Sequence, residues 1–263
     1  MKYTITNGIK KTKSKLVLGI SGATLGIAGL LMAVAMPLAA KAAVSNNYSL
    51  FGDASIVSPG NASANAAQTE SSATAPGYGG VDFGVPSGVT TLSTLNNLST
   101  DYMFTNGSCG GGSPRFSVTV QTPTGPSVFF YIGPAPNYTN CPANVWMNTG
   151  NLAGPTNLVD ASQLGGTFYE PYAAVQTAYG SYPVTDIALV TDAGWAVGGT
   201  QTVLFDNTQI NDNTYTYEPA PTKDSCKNNG WQTITDTNGK HFKNQGDCVS
   251  YFATSGKNPG NGL

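Results

Sequence analysis

The chain has 263 residues, of which 40% are hydrophobic and only 10% charged, with 32 Gly and 16 Pro. It is too apolar to be disordered, too rich in Gly and Pro to be helical, and too sparsely charged for a long solvated helix or coiled coil. The net charge of -2 hides a partition: six Lys precede the first acid, Asp53, then residues 44–219 set eleven acids against Arg115 alone, and residues 220–263 set five Lys against three Asp. An acidic main domain repels phosphate backbones, so nucleic acid is not expected as a partner.

Residues 1–43 read as a signal peptide. A basic stretch to Lys15 leads into an apolar run over 16–40, and Ala40-Lys41-Ala42 has the small-x-small form of a cleavage site. The expected mature N-terminus is Ala43 or Val44, with an uncleaved anchor as the rival, because the run is long enough to span a bilayer. No later run is that long, so the expectation is a secreted or cell-surface protein without membrane attachment after cleavage.

The mature chain is dominated by two-residue alternation. Strands are predicted over 48–57, 62–70, 80–85, 98–104, 115–120, 128–132, 145–150, 184–191, 201–210 and 214–218, separated by Gly, Pro, Asn and Ser clusters. Over 115–120, Phe116, Val118 and Val120 share one face. Asn211-Asp212 between two strands suits a tight hairpin turn, since both residue types tolerate positive φ. Only 171–179 reads as a helix, a short surface element with Pro171 in its first turn and Gly180 at its end. So many short strands without interleaved helices predict an all-β fold, a two-sheet antiparallel sandwich of jelly-roll type over 44–219.

Pro219-Ala220-Pro221 marks a linker to a small Cys-bracketed module over 220–263 that ends in a flexible tail. The four cysteines contain no C-x-x-C pair, and in an exported protein an even number reads as disulfides. Three connectivities exist. Division across the linker favours Cys109 with Cys141 and Cys226 with Cys248. A zinc site using Cys226, His241 and Cys248 is the alternative, and it lacks a fourth ligand at a recognisable spacing.

The module runs C-K-N-N-G-W from Cys226 and F-K-N-Q-G-D-C-V-S-Y from Phe242. This resembles a two-Cys module at the C-termini of secreted bacterial proteins, particularly of actinobacteria and candidate-phylum lineages. G-G-G-S-P-R-F from Gly110 and T-V-L-F-D-N-T-Q-I-N-D-N-T-Y-T-Y from Thr202 look like the secreted β-sandwich domains that precede it. The resemblance implies compartment and fold and brings no catalytic residue with it.

Catalytic motifs are missing. His241 is the only histidine, so a Ser-His-Asp or Cys-His arrangement would have to use it from within the small module. Glu70, Glu170 and Glu218 form no E-x-D-x-x-E strand pattern, there is no G-x-S-x-G, and Gly110-Gly111-Gly112 lacks the Lys-Ser/Thr of a phosphate loop. The expectation is a non-enzymatic binding or adhesion protein without metal or cofactor, its partner an extracellular glycan or cell-wall polymer; a carbohydrate-active hydrolase or lyase and a structural envelope component are the alternatives. Flat aromatic faces with polar rims hold sugars, and Tyr131, Tyr138, Trp146, Tyr169, Tyr172 and Trp195 are the candidates. Trp146, between Val145 and Met147, is expected to be core. Trp195, in Asp192-Ala193-Gly194-Trp195 between strands, is the ligand contact singled out. Asp53, Asp206 and Asn207 are the candidate oxygen donors for calcium, but no EF-hand or repeated acidic loop accompanies them, and no cofactor is expected.

Overall fold

The computed structural model describes residues 43–44, 47–192, 199–236 and 239–258. Residues 1–42, nearly all of the segment expected to be a signal peptide, the segment 193–198 that contains Trp195, and the tail 259–263 lie outside the described residues.

Two sheets make up the fold. The larger joins β3 (Ala54–Val57), β4 (Ala66–Ser71), β13 (Gln201–Ile210), β14 (Asn213–Tyr215) and β1 (Ala43–Val44), with β6 (Leu98–Asn106) also on β13 and β9 (Met147–Asn148) on β6. The smaller runs β2 (Ser49–Gly52), β5 (Gly79–Asp82), β12 (Val184–Thr191), β7 (Arg115–Val120) and β8 (Ser127–Tyr131). Their pairings are antiparallel except that of β1 with β14. A short ribbon of β10 (Leu158–Val159) and β11 (Glu170–Pro171) lies beside β8, to which it is bridged through Asp160 and Phe129. The protein is an all-β, two-sheet antiparallel sandwich.

The alternation in the sequence is what closes it. Phe116, Val118 and Val120 are fully buried while Arg115, Ser117 and Thr119 are half-exposed, and Val203 and Phe205 of the other sheet fill the same core. Each such side chain contributes about 1.5 to 3 kcal/mol on burial. The inner faces also meet through buried hydroxyls, Thr69 of β4 lying 2.6 Å from Thr191 of β12.

Several boundaries differ from the sequence reading. The single strand expected over 48–57 is two strands, one in each sheet, because Gly52 turns the chain with φ +59° and a Cβ there would strike the Tyr78 carbonyl. The strand expected from residue 62 begins at Ala66, since 58–65 form a turn held by side chains: Asp206 accepts from the Asn61 N–H (2.8 Å) and the Ser63 hydroxyl (2.5 Å), and Glu218 accepts from the Ala64 and Asn65 N–H groups. The hairpin at Asn211-Asp212 is present, with Ile210 opposite Asn213 and Asn211 at φ +49°.

Helix α1 (Tyr172–Tyr179) is not the surface element expected, because Tyr172 and Val175 are fully buried in the sandwich core and the Tyr172 hydroxyl donates to the Leu92 carbonyl (2.7 Å). A second helix, α2 (Gln245–Ala253), was not foreseen. Asn244 caps it by accepting from the Asp247 N–H (2.9 Å), and Cys248 and Tyr251 form its buried face. That face, with Cys226 and Phe242, is a small core separate from the sandwich's. Disulfides join Cys109 to Cys141 and Cys226 to Cys248, each pair closing a segment within one of the two cores.

Candidate functional site

One end of the smaller sheet gathers aromatic rings from three separate stretches of chain. Tyr131 ends β8 opposite Arg115 of β7. Tyr138 follows in the loop after β8, and Phe168 and Tyr169 immediately precede β11. The Tyr138 and Tyr169 rings stack, with centroids 5.9 Å apart and planes 16° from parallel, and Tyr131 meets both at 5.6 and 6.3 Å. Phe168 lies 6.5 Å from Tyr169. Such pairs contribute about 0.5 to 1.5 kcal/mol beyond the area they bury.

Burial grades across this corner. Tyr131 and Tyr138 are buried, whereas Tyr169 is 45% and Phe168 62% exposed, so two rings present their surface to water on a fixed base. The base is fixed by hydrogen bonds: the Tyr131 hydroxyl donates to Asp160 (2.7 Å), Asp160 also accepts from the Ser162 N–H, and the Tyr138 hydroxyl donates to the Leu158 carbonyl (3.0 Å). Burial and the Asp160 carboxylate push the Tyr131 phenol far above its ordinary value, so it remains a donor. The Cys109–Cys141 disulfide packs against Gly133 in the loop that carries Tyr138. Tyr138 and Tyr169 both adopt left-handed backbone, at φ +51° and +57°. Such conformations cost of order 1 kcal/mol or more in non-glycine residues and persist where surrounding contacts over-determine them.

The polar rim is supplied by Arg115. Its guanidinium makes a two-pronged pair with Asp192 (2.5 and 2.8 Å), donates to the Gly112 carbonyl, and lies 4.7 Å from the Phe129 ring centroid. The Asp192 backbone N–H donates to the Ser113 hydroxyl (3.1 Å), which in turn donates to the Gln201 side-chain oxygen (2.8 Å). The end of β12 is thereby tied to β7 and β13.

Of the rings singled out in the sequence, the structure brings together Tyr131, Tyr138 and Tyr169. Tyr172 is core. Trp146 is half-buried outside both cores, and the expectation that it is core fails because its flanks are exposed, Val145 at 49% and Met147 at 39%. Trp195, the contact chosen from sequence, lies outside the described residues. Phe168 was missed, although Gly165-Gly166 before it and Pro171 after it mark the segment as a loop bearing two adjacent rings.

The metal readings do not assemble. Cys226 and Cys248 are bonded to each other, which removes both thiolates from the zinc alternative, and His241 is exposed. Asp206 is buried under the 58–65 turn with its oxygens taken by Asn61, Ser63 and Asn207, and burial raises its pKa, while Asp53 lies elsewhere, beside Glu70. Among the described residues no three His, Cys, Asp or Glu side chains are placed to hold a metal.

No protein-family model and no curated protein matches the chain. Among solved structures it is similar to the family 11 carbohydrate-binding module of the cellulosomal cellulase Lic26A-Cel5E of Clostridium thermocellum, at 14% identity over 62% of this chain and 86% of that one, with a TM-score of 0.37. It is also similar to an exo-β-agarase, at 16% identity over 68% of this chain and 24% of that one, with a TM-score of 0.31. At these scores neither likeness assigns a ligand. Among the described residues no helix is long and apolar enough to cross a membrane; the apolar run 16–40 is not among them.

Proposed function

We propose that the protein is a secreted or cell-surface binding module, without catalytic activity, that holds a glycan on its aromatic corner. The observation that carries this reading is the pair Phe168 and Tyr169, adjacent and exposed, with Tyr169 packed on the buried rings of Tyr131 and Tyr138 and Phe168 beside it. An exposed ring held rigidly loses little entropy when a sugar stacks on it, and the part-exposed Arg115–Asp192 pair lies near the same end of the sheet. A glycan array identifies the polymer, and truncation of Phe168 or Tyr169 tests the site. Loss of binding with the fold intact supports the reading; undiminished binding removes it.

A further inference from the structure

The outer face of the larger sheet carries a cavity of about 620 Å³ beside β3 and β4, lined among others by Asp53, Ser55, Gln68, Glu70, Thr74 and Thr200. Small-ligand sites span roughly 300 to 1,000 Å³. The strand period explains the lining. Gln68 and Glu70 alternate with the buried Ala67, Thr69 and Ser71, so they share the outward face of β4. Ser55 stands opposite Gln68, and the Glu70 N–H donates to the Asp53 carbonyl (2.9 Å), which sets the two acidic residues side by side.

The carboxylates and the carboxamide of this lining are unspent, unlike several other acids of the sandwich. Asp101, Asp160, Asp192, Asp206 and Glu218 are each held by protein donors. Among the described residues, Asp53, Gln68 and Glu70 have no side-chain hydrogen bond and no ion pair, although all three are only partly exposed. Lys, Arg and His are absent from the lining, as is any aromatic ring, and Arg115, the main domain's single base, is committed to Asp192. Two uncompensated carboxylates repel an anion and attract a cation. A carboxamide and several hydroxyls match a ligand dense in hydroxyl groups. Without rings, recognition here runs through hydrogen bonds and charge, unlike the aromatic corner.

We propose that this groove is a second binding site, for a hydroxyl-rich ligand that carries an ammonium group, which is the chemistry of an amino sugar. It does not rest on the aromatic corner. The test is calorimetric titration of the purified protein with a glucosamine oligomer at pH 6 and low salt. Binding is expected to weaken at least tenfold in Glu70→Gln and in Asp53→Asn, and at least tenfold when the same oligomer is N-acetylated, which removes the charge. Gln68→Ala, which leaves both charges in place, should weaken it less, and Tyr169→Ala should leave it unchanged. Thermal melts within a few degrees of the parent show that each variant folds. The proposal is overturned if the oligomer does not bind, if the two charge variants bind it as the parent does, or if the N-acetylated oligomer binds equally. Butylamine binding as tightly as the oligomer would overturn the amino-sugar class, and loss confined to Tyr169→Ala would place the sugar at the aromatic corner instead.

Discussion

Replacing Asp186 by Asn should flatten the pH dependence of folding stability between about pH 4 and 6. Asp186 of β12 lies opposite Thr119 of β7, and Asp82 of β5 lies opposite Ala188, two residues along β12 on the same outward face. Burial first, then the Asp82 charge and a hydrogen bond between the two carboxyls, push Asp186 up from 3.8 to about 6. The folded protein thus holds a proton that the unfolded chain releases near its ordinary value, so the stabilisation is complete below about pH 4 and is lost as pH rises through about 6. A rise of this size corresponds to about 3 kcal/mol between unscreened groups. Water reaches the half-exposed pair and screens it, which leaves about 1 kcal/mol. Asn keeps a donor for the Asp82 carboxylate without the second charge, so Asp186→Asn should match the parent near pH 4 and exceed it by about 1 kcal/mol at pH 7.5. In a sandwich of this size that is about 2 to 4 °C in melting temperature. Urea or thermal melts of both proteins at pH 4, 5, 6 and 7.5 read the difference, which cancels the titration of Asp206 and every other shared group. Parallel stability curves, or a parent that gains on the variant as pH rises, would refute the coupling.

Two further outcomes follow from the corner's supports. Removing the sandwich disulfide by Cys109→Ser with Cys141→Ser should cost about 3 to 4 kcal/mol from loop-closure entropy, measured by denaturant unfolding in water without reductant, and a change below about 1 kcal/mol would show that the bridge does little for the fold. Tyr131→Phe leaves the buried Asp160 without one donor and should cost about 2 kcal/mol, while the ring contacts to Tyr138 and Tyr169 survive, so unfolding free energy falls and glycan binding does not.

The strands and the hairpin turn were legible because their signal is local: alternation across Phe116, Val118 and Val120, and an Asn-Asp pair between two runs. The split of 48–57 was not, because Gly52 reads as one more small residue until Tyr78, distant in sequence, is brought against it. The 58–65 turn escaped for the same reason, its partners Asp206 and Glu218 lying some 145 and 154 residues away. Helix α2 carries a readable cap at Asn244, but its nine residues bury only Cys248 and Tyr251, too few positions to show a helical period. At the site, sequence named the rings without their grouping. Tyr131, Tyr138 and Tyr169 meet only through tertiary structure, and Tyr172, three residues from Tyr169, points into the core because α1 begins between them.

The most direct test of the account is to measure, on the glycan that the array identifies, the dissociation constants of the parent, Phe168→Ala and Tyr169→Ala, each paired with a thermal melt. Phe168 is 62% exposed and Tyr169 45%, so truncation forfeits only part of a ring's burial, of order 1 kcal/mol for each. The account predicts at least a tenfold loss of affinity in each variant, about 1.4 kcal/mol, with melting temperatures lowered by no more than a few degrees. Affinity unchanged in both variants would contradict it.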